Sequence, residues 1–416
     1  MKRPRKQIFA IWCLASGCLF AILIFLTPQL RFVDFVAFSD RAQRISNGDD
    51  LYHGLYPIGY PVALLLGKVG FGSVLLVGKF YSVVGSIVLL FVAIFWQGNA
   101  GALAVVSCAS FWLWGQVEGT DMVAAGLTIG AVVLARDKPG WASVLWCVAF
   151  LTRYTAIAGL PFVIWASPHR LRTLVYIVIG TSPHWFLALW VGQAPLIDQT
   201  ENFSRSPEPI HVRLLWGPIR GIESIFRSDP WLLIAVLGWV KGLKDTIGRR
   251  VFAFGLVHLV MISLVFTKPR LLLPLSIVFS LGWIWFVFRK RYLWTVSVVA
   301  SIWGIYRSVD ISPRTLEANH VAFHSPVSER FLTTSPWFFY HSDGWLRGGV
   351  PLGEVSRPDQ LSTSKILQYA KRNDYHYLVV NSPRLRAPYK RLRTILEDQE
   401  FTLVYQYGMW KVYKIP

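Results

Sequence analysis

Long apolar runs recur from residue 8 to about residue 306 of this 416-residue chain. A helix needs roughly 20 predominantly apolar residues to cross a bilayer, and a chain with many such runs must place most of them in lipid. The first run, IFAIWCLASGCLFAILIFL at 8–26, follows the basic segment KRPRK and has no clear small-residue cleavage site. It predicts a retained membrane helix and not a signal peptide. The sequence therefore predicts an all-α polytopic membrane protein.

The spacing of the apolar runs predicts about eleven transmembrane helices. They are expected near 8–26, 73–96, 99–115, 121–136, 141–153, 155–168, 171–192, 229–241, 251–267, 271–288 and 292–306. The pair covering 141–168 is open to two interpretations, one kinked helix or two half-spans that meet near Arg153. Together these helices define a predicted membrane domain over residues 1–306.

The basic residues predict which helix ends face the cytoplasm. The chain carries a formal net charge of +19, and its Lys and Arg residues cluster at the ends of apolar runs, as at Lys2–Lys6, Arg136/Lys138, Arg170/Arg172 and Arg289/Lys290/Arg291. This positive-inside pattern predicts a plasma (inner) membrane protein with a cytoplasmic N-terminus, and it accounts for the charge without a nucleic-acid partner. The four cysteines lie in apolar runs without CxxC spacing, which predicts packing roles and neither disulfides nor zinc.

Three carboxylates are predicted to lie where apolar segments meet the outer surface. Asp34 opens a stretch with helical apolar spacing, so we expect a surface amphipathic helix whose dipole keeps this carboxylate ionised. Glu118 and Asp121 are three residues apart beside Gly115 and Gly119, close enough to share a face and a cation if that turn is helical. Each of the three acids could instead be an ordinary residue of a first helical turn.

Basic residues on the predicted outer side need a separate explanation. Arg153 interrupts the apolar segment WCVAFLTRYTAIAGLP, and Lys268 and Arg270 precede LLLPLSIV. These positions oppose the positive-inside bias, and the planar donor fork of Arg matches phosphate oxygens, which favours a phosphate-binding role. The alternative is that they reach to lipid headgroups. The sequence contains no GxGxxG or Walker loop, which argues against a nucleotide-driven pump.

The last 110 residues have the patterns of a soluble domain. TSKILQYAKRND and APYKRLRTILEDQ are amphipathic at helical spacing, and each precedes a strand-like run, YHYLVV and FTLVYQY. Gly408 then marks a turn into MWKVYKI. We predict a small α/β domain over residues 307–416 on the extracytoplasmic face, with residues 311–360 left unassigned.

Taken in order, these elements resemble the GT-C superfamily of membrane glycosyltransferases, which use a polyprenyl-phosphate sugar as donor, and in particular its protein O-mannosyltransferase and aminoarabinose transferase group. The resemblance covers roughly residues 8–290 and rests on four features in the family's order: the stretch from Asp34 to Tyr60-Pro61, the acidic turn Glu118/Asp121, LTRY at Leu151–Tyr154, and the basic LLLP start at Arg270–Pro274. The chain departs from many relatives in having Phe35 where they have Glu after the first Asp.

This resemblance implies an enzyme that moves a sugar from a polyprenyl-phosphate donor to a hydroxyl acceptor on a glycan, lipid or protein, with inversion and with Asp34 as general base. Arg270, Lys268 and Arg153 would bind the donor phosphate. Glu118 and Asp121 would bind sugar hydroxyls or a divalent metal ion, and the sequence implies no other cofactor. The donor and acceptor pocket is expected to include four further side chains, His53, Tyr56, Tyr60 and Tyr154.

Two other classes of function are weighed against this one. A lipid or polysaccharide transporter or flippase would favour inverted repeats and paired ionisable residues near the bilayer midplane, and neither is evident in the sequence. A non-catalytic scaffold that displays the C-terminal domain is the third possibility. Turnover of a polyprenyl-phosphate sugar separates the enzyme from both.

Overall fold

The protein is mostly helical and carries a small sheet near its C-terminus. The computed structural model describes residues 3–26, 34–46, 48, 57–191, 209–265, 269–286, 290–309, 313–327, 330–335, 338, 349–352, 355, 360–381, 389–397 and 401–416. Two compact units are present. The first comprises Met1–Pro28 and Arg41–Asp310, and the second comprises Gln29–Asp40 and Ile311–Pro416.

Most of the described residues between 3 and 309 lie in helices. The helices are α1 Arg3–Leu26, α2 Asp34–Ser46, α3 Gly59–Phe71, α4 Val74–Gln97, α5 Asn99–Val106, α6 Ala109–Trp114, α7 Asp121–Leu134, α8 Pro139–Thr152, α9 Leu160–Ala166, α10 Arg170–Trp190, α11 Ile210–Ser228, α12 Leu232–Gly242, α13 Thr246–Val265, α14 Leu273–Leu281 and α15 Lys290–Val309. Short 3-10 helices cover Tyr154–Gly159, Pro269–Leu272 and Gly282–Ile284. Helix α2 begins at Asp34, as the apolar spacing predicted. Helix α3 was not predicted.

Four of the described helices are long and apolar enough to cross a membrane. Their spans are Gln7–Leu26, Val74–Gln97, Arg170–Trp190 and Thr246–Leu264. Large apolar side chains on these helices are exposed, such as Phe25 at 84% and Trp190 at 74%. Exposed apolar surface of this extent is what lipid-facing helices require. The prediction of a multi-pass membrane protein is confirmed, whereas the count of eleven spans is not.

Two predicted helices are broken in the structure. The segment predicted at 99–115 divides at Ser107–Cys108 into α5 and α6. Asp229, which follows α11, accepts a hydrogen bond from the first turn of α6, with Ser110 N at 3.3 Å from Oδ2. The segment 141–168 divides at Arg153, whose φ of −157° is extended. The structure therefore shows two separate helices here, α8 and α9, and not one kinked helix.

Helices α4 and α7 approach each other closely through two glycines. A Cβ added at Gly85 would lie 2.6 Å from the Cα of Val123, and a Cβ added at Gly126 would collide with the carbonyl oxygen of Gly85. Small residues at a helix crossing allow two backbones to approach in this way. The contact brings the beginning of α4 beside the beginning of α7, where the buried charges described below are found.

The second unit contains a five-stranded sheet with the order β2-β1-β3-β5-β4. The strands are β1 Phe331–Thr333, β2 Val350–Pro351, β3 Tyr377–Asn381, β4 Thr402–Tyr407 and β5 Trp410–Lys414, and the helices of this unit include α16 Pro313–His324, α17 Thr363–Asn373 and α18 Lys390–Glu397. Strands β1, β2 and β3 are parallel, while β3–β5 and β5–β4 are antiparallel.

Three of the described strands follow the strand-like runs read from the sequence. The helices α17 and α18 and the strands β3, β4 and β5 occur where they were predicted, and Gly408 turns β4 into β5 with a φ of +53°, a conformation that favours glycine. Strands β1 and β2 and helix α16 lie in the stretch that the sequence left unassigned. Leu332 of β1 pairs with Leu378 of β3, so the central strands are buried side by side.

Replacing Gly126 with alanine should destabilise the crossing of α4 and α7. The added methyl group meets the Gly85 backbone, and overpacking of this kind costs about 1–3 kcal/mol. Gly70→Ala is the matched control, because Gly70 also lies inside a helix and its Cβ would meet nothing within 4 Å. We expect a lower melting temperature in detergent for Gly126→Ala and an unchanged or higher one for Gly70→Ala. Equal melting temperatures would contradict the tight crossing.

Candidate functional site

An irregular buried segment, residues 115–120 between α6 and α7, forms the centre of the candidate site. Buried backbone groups outside regular structure need other partners. Ser82 Oγ of α4 donates to Val117 O at 2.6 Å, and Gly119 N donates to Tyr60 Oη at 3.1 Å. Gly119 has a φ of +147°, a backbone conformation that residues with a side chain rarely adopt. Contacts from α3 and α4 thus hold the segment in place.

Glu118 lies within this segment and is paired with a lysine from α4. Its Oε2 is 3.7 Å from Lys79 Nζ, and the exposed fractions are 0% for Glu118 and 1% for Lys79. Charges buried this deeply are stable only when they are compensated nearby. The pair therefore fixes the segment to the first turns of α4.

Asp121 opens α7 and is paired with an arginine from the break after α8. Arg153 Nη1 lies 2.9 Å from Asp121 Oδ1 and also donates to Thr120 Oγ1. Asp121 is 6% exposed and Arg153 19% exposed. Because Arg153 sits in extended backbone between α8 and a 3-10 helix, the helix break is what directs its guanidinium toward the start of α7.

The pair of Asp121 and Arg153 shares a small cavity with Arg270. The cavity measures about 10 Å³ and is also lined by His258, whose Nε2 is 2.7 Å from Leu271 O. A volume of that size holds about one water molecule. The structure thus brings together three residues that the sequence placed far apart, one from each of three separate segments.

Tyr60 and Tyr154 were both predicted to line a substrate pocket, and the structure places them differently. Tyr60 is 2% exposed, and its hydroxyl oxygen accepts the hydrogen bond from Gly119 N in the irregular segment. Tyr154 turns to α10, where its hydroxyl is 3.2 Å from His184 Nε2 and its ring packs against Phe150. Their roles in substrate binding stay predictions.

Several predicted site residues cannot be placed. His53, Tyr56 and Lys268 lie outside the described residues, and for Asp34 the structure gives the backbone at the first position of α2 and not the side chain. Asp34 also belongs to the second unit, while Asp121, Arg153 and Arg270 belong to the first. The proximity of Asp34 to the other groups stays a prediction.

The side chains present do not fit a divalent metal ion at Glu118 and Asp121. The sequence argument required a helical turn that would direct both carboxylates to one cation, but α7 begins at Asp121 and Glu118 precedes it in irregular backbone. Each carboxylate instead faces a different basic side chain. Among the residues that the structure describes, no group of three or more His, Cys, Asp or Glu side chains is placed to hold a metal ion.

Two residues near the candidate site were missed in the sequence. Lys79 interrupts the apolar run of α4 and His258 that of α13. An ionisable residue within a membrane helix is by default a candidate for function, so both could have been singled out on that ground. Their partners, Glu118 and the Leu271 carbonyl, are distant in sequence and are visible only in the structure.

The comparison with solved structures identifies the fold. ArnT from Cupriavidus metallidurans bound to undecaprenyl phosphate matches with a TM-score of 0.67, at 11% sequence identity, over 97% of this chain and 97% of that chain. The apo state of ArnT matches with a TM-score of 0.59 at 13% identity, over 97% and 98% of the two chains. Arabinofuranosyltransferase AftD from Mycobacteria matches with a TM-score of 0.50 at 14% identity, over 97% of this chain and 40% of that chain.

Comparison by sequence identifies no further relative of this chain. No protein-family model matches the chain, and no curated protein matches it by sequence. ArnT and AftD both have the GT-C fold of polyprenyl-phosphate-dependent glycosyltransferases. The resemblance predicted from the ordered motifs is therefore confirmed at the level of the fold, and it extends over nearly the whole chain.

Removing only one charge of the Lys79–Glu118 pair should lower the stability of the protein more than removing both charges. Lys79→Met leaves the Glu118 carboxylate buried without this cation, which is expected to cost about 3–5 kcal/mol. The double variant Lys79→Met/Glu118→Gln removes both charges and should recover much of the melting temperature. A double-mutant cycle in detergent measures the coupling. Additive effects of the two single variants would contradict a direct interaction.

Proposed function

We propose that this protein is an integral-membrane glycosyltransferase that moves a sugar from a polyprenyl-phosphate donor to a hydroxyl acceptor on the extracytoplasmic face. The observation that supports this most strongly is the fold similarity, over 97% of both chains, to ArnT with undecaprenyl phosphate bound. At 11% identity the residue roles do not transfer automatically, so each is argued from its own chemistry.

A topology of eleven spans accompanies this proposal. The spans are α1, α4, α5 with α6, α7, α8, α9, α10, α12, α13, α14 and α15. With a cytoplasmic N-terminus, an odd count puts residues 115–120, the start of α14 and the C-terminal unit on the extracytoplasmic side. The basic clusters at Arg136, Arg170 and Arg249 then face the cytoplasm, as the positive-inside rule requires.

The proposed reaction is a single displacement at the anomeric carbon. The acceptor hydroxyl attacks that carbon and transfers its proton to the Asp34 carboxylate, while the bond from the carbon to the phosphate oxygen breaks and its electron pair passes to the phosphate. Attack opposite to the leaving group inverts the anomeric centre. One carboxylate is sufficient, because a phosphate needs no proton to depart.

The departing lipid phosphate gains negative charge, and basic groups that face it lower the barrier. We assign this role to Arg270, Lys268 and Arg153. Arg153 uses Nη1 for both of its contacts, with Asp121 and with Thr120. A guanidinium carries five N–H donors, so Nε and Nη2 can serve a phosphate while Nη1 holds the start of α7.

Glu118 and Asp121 are better suited to positioning than to metal binding. Each neutralises a buried basic side chain beside the irregular segment. In this proposal Asp121 also orients Arg153 toward the donor phosphate. Sugar hydroxyls are bound by Asp121 and by the aromatic side chains predicted from the sequence, which include His53 and Tyr56.

Asp34→Asn should abolish sugar transfer. The amide keeps the shape of the side chain but cannot accept the proton, and loss of a general base costs about 10²–10⁴ in rate. The assay measures release of undecaprenyl phosphate by the purified protein from a set of undecaprenyl-phosphate pentoses and hexoses. Asp40→Asn, on the same helix, is the matched control and should retain activity. Full activity of Asp34→Asn would reject the assignment of the base.

Arg270→Gln should lower the turnover number by about 10²–10³, the usual cost of removing one group that stabilises charge in the transition state. Arg227→Gln is the control, because Arg227 is 80% exposed on α11 and pairs with Glu223.

If the wild-type protein moves lipid-linked sugars across vesicles without releasing undecaprenyl phosphate, the protein is a transporter. If it does neither, it is not an enzyme of this class.

A further inference from the structure

A histidine inside the helical bundle contacts the backbone beside Arg270. His258 lies on α13 and is 2% exposed, and its Nε2 is 2.7 Å from the carbonyl oxygen of Leu271. A carbonyl oxygen only accepts hydrogen bonds, so Nε2 is the atom that donates. Leu271 directly follows Arg270 in the 3-10 helix Pro269–Leu272. The bond therefore joins α13 to the turn that carries Arg270.

The proline at position 274 leaves the carbonyl of Leu271 without a partner in its own turn. In a 3-10 helix each carbonyl oxygen accepts from the N–H group three residues later. For Leu271 that residue is Pro274, which has no N–H group. A buried carbonyl oxygen without a donor is costly, and Leu271 is only 6% exposed. His258 supplies the donor that Pro274 lacks.

The bond to Leu271 is what distinguishes a histidine from an apolar residue at position 258. The second ring nitrogen, Nδ1, is buried and has no hydrogen-bond partner within the part of the chain that the structure describes. The ring also packs against Phe254, one turn earlier on α13, with the two ring centroids 5.9 Å apart. Burying a polar ring costs free energy, and the bond from Nε2 offsets this cost.

Helix α13 is packed closely enough to hold His258 in a fixed place. One turn before His258, a Cβ added at Gly255 would lie 3.0 Å from Val278 Cγ1 of α14. One turn after it, the Cβ of Ser263 would lie 2.7 Å from a Cβ added at Gly217 of α11. Small residues at these two contacts allow α13 to lie tightly between its neighbours. His258 is therefore attached to a closely packed part of the bundle.

Arg270 requires support of this kind because of the groups that it faces. It lines the cavity of about 10 Å³ together with Arg153 and Asp121. Two guanidinium groups thus share a small space beside one carboxylate, and like charges repel each other. The 3-10 helix that carries Arg270 has only four residues. A bond from α13 to the next peptide opposes displacement of this short turn.

We propose that His258 is a positioning residue, whose hydrogen bond to Leu271 holds the 3-10 helix so that Arg270 faces the phosphate of the lipid-linked donor. This inference rests on the proposed function and adds a residue to it. His258 acts through Arg270 and makes no contact with the sugar or the phosphate. The developing charge on the phosphate then meets a guanidinium that is already in place.

The first test compares two substitutions at position 258. His258→Gln keeps an N–H donor, whereas His258→Leu fills the space without one. We expect His258→Leu to lower the turnover number by about ten- to a hundredfold, because a displacement of about 1 Å in a catalytic group has an effect of that size. His258→Gln should recover most of this loss, and equal loss in both variants would overturn the proposal.

Ser263→Ala is the matched control for these variants. It removes another buried hydrogen bond of α13, from Ser263 Oγ to Leu259 O at 2.7 Å, which stays within the helix. We expect Ser263→Ala to keep the turnover number of the wild type. An equal loss of turnover in Ser263→Ala and His258→Leu would show a general effect of weakening α13, and would overturn the specific role of His258.

The second test asks whether His258 acts through Arg270. In a double-mutant cycle, His258→Leu should cost little further turnover once Arg270→Gln is present, because there is no guanidinium left to misplace. A histidine that only stabilises the fold would lower the turnover number by the same factor in both backgrounds. That additive result would overturn the proposal, as would wild-type turnover in His258→Leu.

Binding of undecaprenyl phosphate separates this inference from the proposed function. The same cycle is measured by titration of the full-length protein with undecaprenyl phosphate, which needs no sugar transfer. His258→Leu should weaken binding by up to about tenfold, the effect of losing a charged hydrogen bond, and should have little effect in the Arg270→Gln background. An additive binding cycle would overturn the role of His258.

The wild-type protein decides between the two levels of failure. If it transfers sugar while both cycles are additive, the function stands and the role of His258 is wrong. If it binds undecaprenyl phosphate without transferring sugar, the function is wrong and the binding cycle alone decides the role of His258. If it neither binds nor transfers, both proposals are wrong.

Discussion

Two carboxylates at the beginning of α7 are buried, and each faces a basic side chain from another helix. Glu118 meets Lys79 of α4, and Asp121 meets Arg153 at the break after α8. An ion transferred out of water loses several kcal/mol of solvation unless an opposite charge compensates it. The pairs therefore determine which segments may lie beside residues 115–120. Arg270, which shares a cavity with Asp121 and Arg153, lies among the groups that they bring together.

The helix backbones make these charge pairs possible. Gly85 and Gly126 allow α4 and α7 to lie so close that Lys79 reaches Glu118. At the other end of α7, the same bundle opens into a cavity beside Arg250. The bundle thus presents basic groups at both ends of α7. We assign those beside Asp121 to a lipid phosphate that leaves during sugar transfer.

Much of the fold could be predicted from periodicity. Apolar runs mark membrane helices because lipid imposes the same demand at every position along a span. Strands β3 to β5 were recognisable because they are runs rich in β-branched and aromatic residues, with Gly408 as a turn between β4 and β5. The separation of α5 from α6 was not predicted, and the carboxylate that caps the start of α6, Asp229, lies more than a hundred residues away in sequence. Strands β1 and β2 were missed because they are only three and two residues long.

The candidate site was predictable as a set of residue types and not as an arrangement. The sequence by itself determined that Glu118, Asp121, Arg153 and Arg270 stand at the ends or breaks of apolar segments, where ionisable groups are costly and therefore informative. It could not determine partners, since pairing depends on which helices are neighbours. The tertiary structure decided that Glu118 and Asp121 face different basic groups and do not share a cation, because α7 begins at Asp121, three residues after Glu118, and so does not place both on a single helical face.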